Sequence, residues 1–133
     1  MNYINLLKNH DLKVTPQRLL IVESLYEKGH LNIDELYAIL KERFPNISLA
    51  TIYKNIHIMG EKSLLQEVKI PNQKNVYELT KQEHSHIVCT KCNNIIDITL
   101  DTNLLVKQAI NLSNFHIDNS AIVLNGICPK CVA

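Results

Sequence analysis

The chain has 133 residues, 46% of them hydrophobic and 20% charged, with a formal net charge of +1. That length holds one ordinary domain or two small ones, and the composition excludes a disordered chain. The charge excludes a strong global attraction to nucleic acid: residues 1–83 carry 11 basic against 10 acidic side chains, and residues 84–133 carry three against three. Any nucleic-acid contact must therefore rest on a local patch. No apolar run is long enough to span a membrane. The opening MNYINLLKNH lacks the basic, apolar and small-residue segments of a secretion signal. The expectation is a cytoplasmic protein, where two CxxC pairs serve better as metal ligands than as disulfides.

The first part of the chain predicts helices. In VTPQRLLIVESLYEKG, Thr15 is an N-cap, Pro16 takes the first helical position and Gly29 ends the helix. NIDELYAILKERF follows, with Asn32 and Glu35 at capping-box spacing and Pro45 as the stop. Ser48 caps a third helix, LATIYKNIHIMGEKS. There Leu49, Ile52, Ile56 and Met59 form one apolar stripe. Opposite it lie Ala50, Thr51, Lys54, His57 and Ile58, with Tyr53 on the flank. Small, hydroxyl, aromatic and basic groups suit a helix entering a major groove, although a packed helix can turn the same face to solvent. LLQEVKIPNQKNVYEL predicts two short strands, near 66–70 and 76–79, around the turn PNQKN. Helices with tight connections, followed by a hairpin, predict a winged helix-turn-helix domain over residues 1–80.

KQEHSH is a polar boundary. Beyond it HIVC, IIDIT and AIVLNGIC predict short strands, with one helix near 101–112. Leu105, Ala109 and Leu112 lie along one side of that helix, and Leu104 is adjacent. A domain of about fifty residues with so few apolar positions has a thin core, and it needs a staple or a partner subunit. The fold class is α+β: an N-terminal winged helix-turn-helix domain, then a small α/β domain over 84–133.

The stretch HSHIVCTKCNNIID concentrates metal-binding side chains. In a strand, His84 and His86 share a face and Cys89 points the other way, which argues for two sites. Cys89-x2-Cys92 and Cys128-x2-Cys131 supply four thiolates, the donor set of a closed structural zinc site. The 35-residue gap between the pairs leaves room for the helix. Neither pair sits at a strand-to-helix junction of a βαβ unit, so a thioredoxin-like role fits poorly. On the histidine side, Asp97 is a carboxylate between apolar neighbours and wants a compensating partner. One cation could gather His84, His86 and Asp97 together with His30 and Glu78, although spacing alone does not select the last two. Three imidazoles and two carboxylates suit Fe(II), Mn(II) or Zn(II). His10, His57 and His116 read as ordinary surface or capping histidines.

The order helix-turn-helix, ATIYKNI, wing, HSHIVCTKCNNIID, CPKC resembles the ferric uptake regulator (Fur) family from VTPQR to the final CPKC. The resemblance implies a dimeric, metal-dependent transcription regulator, not an enzyme, that binds double-stranded operator DNA through residues 1–80 and dimerises through residues 84–133. Carried over by position, Cys89, Cys92, Cys128 and Cys131 match the structural zinc ligands. His30, Glu78, His84, His86 and Asp97 match the ligands of a regulatory Fe(II) or Mn(II). Tyr53 and Lys54 match recognition-helix positions that contact DNA, Thr51 shares their face, and Arg18 and Lys13 are near positions that reach phosphate.

Within the family, Asp97 resembles the peroxide-responsive branch, PerR, and so does EHSH, whose Glu83 and Ser85 lack the ligands of an additional site. Glu78 is the Fur-like residue at its position. The PerR resemblance implies a repressor that senses peroxide through Fe(II)-catalysed oxidation of a ligand histidine, His30 or His84. Mn(II) would support DNA binding without that oxidation. The alternative within the family senses the level of iron or another divalent metal. Outside it, a hydrolytic metalloenzyme would need an open coordination position and a nearby acid or base, and the HxE…PCxxC deaminase pattern is absent. A zinc-stapled interaction module would show no metal-dependent DNA binding.

Overall fold

A computed structural model describes residues 1–132; Ala133, the last residue of the predicted second domain, lies outside the described residues. The chain divides into two compact units, Met1–Lys81 and Gln82–Ala133.

The first unit runs α1 (Tyr3–Asn9), α2 (Pro16–Lys28), β1 (Leu31–Asn32), α3 (Ile33–Arg43), α4 (Leu49–Glu61), β2 (Leu65–Val68) and β3 (Val76–Leu79). Its helix ends are those the capping residues dictate. The Thr15 hydroxyl accepts from the Arg18 amide at 3.2 Å, and Pro16 opens α2. Gly29 closes α2 at φ 84°, a conformation that strains a residue with a Cβ. Asn32 and Glu35 complete both halves of the capping box, at 2.9 and 3.0 Å. Ser48 accepts from the Thr51 amide at 3.1 Å and starts α4. The sheet has order β1-β3-β2 and is antiparallel throughout.

Sequence patterns did not announce α1 or β1. The first is a short helix capped by Asn2, and the second is two residues long and exists by pairing with β3. Leu7, Ile21, Leu36, Leu40, Ile52 and Met59 are fully buried in one core. Of the predicted α4 stripe, Ile52, Ile56 and Met59 are buried, but Leu49 in the first turn is 41% exposed. Ile58, predicted on the opposite face, packs against the core, so the buried face widens toward the end of α4.

The second unit runs β4 (Ser85–Cys89), β5 (Ile95–Ile98), α5 (Asn103–Ser113), β6 (Val123–Gly126) and α6 (Pro129–Val132). The strand order is β5-β4-β6, with β5 antiparallel and β6 parallel to the central β4. Parallel pairing requires a crossover, and α5 lies within it. Among the described residues, Val88 and Cys89 are the only buried apolar side chains of this unit. No residue of α5 is buried; Leu104 is 78% and Leu112 81% exposed. A sheet and helix with so little burial cannot be stabilised by the hydrophobic effect alone. The chain as a whole is α+β, a winged helix-turn-helix followed by a small α/β domain.

Candidate metal centres and recognition helix

Strand pairing assembles the four cysteines. β4 ends at Cys89, and Cys92 lies in the turn toward β5. The parallel register sets Cys89 opposite Gly126, two residues before Cys128, and α6 carries Cys131. All four Sγ atoms lie within 4.8 Å of one another, and those of Cys92 and Cys128 are 3.8 Å apart. A tetrahedron built on Zn–S bonds of ~2.3 Å has edges of about 3.8 Å. Donor chemistry and spacing therefore fit zinc.

Backbone geometry also prepares the cluster for a cation. The amides of Cys128 and Cys92 each donate to the Cys89 sulfur at 3.4 Å. Those two N–H groups hold the Cys89 thiol down at about 6, the Cys128 amide contributing most. Hydrogen bonding with the Cys128 side chain, and then burial, pushes Cys131 up to about 12. Cys89 is thus poised as a thiolate, while Cys131 keeps a proton that a bound cation would displace.

The other predicted metal ligands fall into two sets, one within each unit. In the second unit, the antiparallel register places Asp97 directly opposite His86. Asp97 Oδ1 is 3.4 Å from His86 Nε2 and 3.8 Å from His84 Nε2. The two imidazoles meet edge to face, with centroids 4.6 Å apart, so His84 and His86 turn to one side as strand parity predicts. In the first unit, His30 follows the Gly29 cap and Glu78 lies in β3. His30 Nε2 is 2.9 Å from Glu78 Oε2, and the Glu78 side chain is 1% exposed. A carboxylate so buried requires polar partners. Its other oxygen, Oε1, accepts from the Gln66 amide at 2.7 Å. Gln66 was missed by sequence reading: counting outward from the PNQKN turn sets Val68 opposite Glu78, whereas the register of the structure is shifted by two residues and sets Gln66 there.

On α4, Ala50, Tyr53, Lys54 and His57 are exposed and Thr51 is half-buried. Thr51 Oγ1 lies 2.9 Å from the Ser48 hydroxyl. Lys13 is exposed, whereas the Arg18 guanidinium is engaged within the unit. It donates to Asn55 Oδ1 and to the Lys13 carbonyl, both at 3.0 Å. Asn55 in turn donates to the Thr51 carbonyl at 3.1 Å, so Arg18 ties the start of α2 to α4. The other histidines have local partners: His10 with the Leu6 carbonyl, His57 with Glu61 and His116 with Asp118.

A sequence profile of the ferric uptake regulator family matches residues 9–125. The chain belongs to this family. Its members are metal-responsive transcription regulators and not enzymes, which sets the metalloenzyme reading aside. The peroxide operon regulator of Bacillus subtilis is 29% identical over 127 residues, covering 94% of this chain and 88% of that protein. The crystal structure of the Campylobacter jejuni peroxide stress regulator is 38% identical, with a TM-score of 0.71, over 98% of this chain and 100% of that one. The Vibrio cholerae ferric uptake regulator is 30% identical, with a TM-score of 0.76, over 96% and 100%. No helix among the described residues is long and apolar enough to cross a membrane.

Proposed function

We propose that this Fur-family chain is a homodimeric, cytoplasmic repressor whose binding to operator DNA depends on a regulatory Fe(II) or Mn(II), and that it senses peroxide. The observation that carries the reading is the matched pair of ligand sets: His30 with Glu78 in the first unit, and His84 and His86 with Asp97 in the second. A divalent ion held by both sets would fix the angle between residues 1–81 and residues 82–132. Two carboxylates balance its charge, which permits burial. Each recognition helix would then present Thr51, Tyr53 and Lys54 to a major groove, with Arg18 and Lys13 beside phosphate. The exposed apolar residues of α5, Leu104, Leu105 and Leu112, suit a dimer seam that the thin core requires. Cys89, Cys92, Cys128 and Cys131 hold a structural zinc that does not toggle.

Peroxide sensing is supported by Asp97, by Glu83 and Ser85 in place of further ligands, and by the similarity to the Bacillus subtilis and Campylobacter jejuni peroxide regulators. His30, Glu78, His84, His86 and Asp97 would hold Fe(II), which when bound would supply electrons to peroxide. His30 and His84 are the imidazoles proposed to take up oxygen, and an oxidised imidazole is a weaker ligand. Loss of the ion would then release DNA. Peptide mass spectrometry after peroxide tests this. One added oxygen is expected on the His30 or His84 peptide of the Fe(II)-loaded protein, and none on the Mn(II)-loaded protein. No added oxygen on any histidine peptide with Fe(II) would favour a sensor of iron or other divalent metal levels, the reading that Glu78 supports.

A further inference from the structure

We infer that Gln66 is a positioning residue for the regulatory site: its amide holds one oxygen of Glu78 so that the carboxylate serves a divalent cation through the other. This rests on the reading of Glu78 as a metal ligand. Gln66 and Glu78 are directly cross-strand in the β2–β3 hairpin, so their side chains emerge on the same face of the sheet. Gln66 Nε2 donates to Glu78 Oε1 at 2.7 Å, while Oε2 lies 2.9 Å from His30 Nε2. The two oxygens are thereby divided between a fixed neutral donor and the imidazole that shares the site.

The division matters because a glutamate has an extra torsion to fix compared with an aspartate. Left unrestrained, its carboxylate could rotate and offer a cation one oxygen or both. The hairpin backbone sets where Gln66 begins, and the hydrogen bond fixes the carboxylate plane. A neutral amide does this without adding charge to the ligand set. A carbonyl or a second carboxylate opposite Glu78 would repel it. Partners of this kind behind a metal ligand change affinity by roughly 10–100-fold when removed. Gln66 is exposed, so an effect of about tenfold, at the lower end of that range, is expected.

The test uses the full-length, zinc-loaded protein with Mn(II) titrated at the regulatory site and Co(II) as a spectroscopic probe. Gln66→Leu and Gln66→Met remove the donor while keeping comparable bulk; Glu78→Gln removes the ligand charge. Thermal midpoints without regulatory metal report any purely structural effect. Mn(II) binding about tenfold weaker in both Gln66 variants, an altered Co(II) visible spectrum and unchanged thermal midpoints would support the positioning role. Wild-type Mn(II) affinity and Co(II) spectrum in both Gln66 variants, with Mn(II) binding lost in Glu78→Gln, would overturn it and leave the metal site standing. Wild-type Mn(II) affinity in Glu78→Gln would overturn the assignment of Glu78, and the role of Gln66 with it.

Discussion

The Cys128→Ser protein is expected to lose its zinc and, with it, the ordered structure of residues 82–132. Serine cannot replace a thiolate on zinc at neutral pH, and three remaining sulfurs leave the site open. The loss is large because little else holds this unit together: Val88 and Cys89 are its only buried apolar side chains among the described residues. Apparent zinc binding in such modules is worth roughly 10–16 kcal/mol, as much as the whole stability of a typical domain. Hydrogen exchange should show β4, β5 and β6 unprotected, and the proposed dimer should dissociate. Residues 1–81 have their own core and should keep a cooperative transition. Full zinc content and protected strands in this variant would contradict the structural role of the cysteine cluster.

Replacing His86 with alanine should produce a different failure, in which the fold and the zinc remain and metal control is lost. His86 is buried at the centre of its ligand set, facing Asp97 across the sheet. Shifting a regulator from one per cent active to ninety-nine per cent requires a metal that favours the active state by about 10⁴-fold. A site that loses an imidazole cannot supply that difference. Operator affinity in saturating Mn(II) should fall to that of the metal-free wild type, as read by titration at fixed salt. Equal Mn(II)-stimulated affinity in wild type and His86→Ala would remove His86 from the regulatory set.

The legible parts of the fold were those written in local chemistry. Thr15, Pro16 and Gly29 bound α2, the Asn32–Glu35 box opens α3 and Ser48 opens α4, because capping is decided within a turn. β1 was not legible because a two-residue strand has no period of its own. Leu49 and Ile58 departed from the predicted faces because the width of a buried stripe depends on what packs against it. The cysteine spacing predicted the cluster, and strand parity predicted the common direction of His84 and His86. The Asp97–His86 pairing and the Gln66–Glu78 bond depend on hairpin register, which the sequence specifies only through its turns. His30 and Glu78 came from the family resemblance, since nothing in their spacing marks them. Their 2.9 Å pairing is the structure's own contribution.

The most direct measurement is operator binding by the zinc-loaded protein with Mn(II) or Fe(II), before and after micromolar peroxide. A peroxide-sensing repressor binds with either metal, keeps binding after peroxide with Mn(II), and releases DNA after peroxide only with Fe(II). Binding retained with both metals would contradict peroxide sensing and identify a regulator that follows metal levels instead.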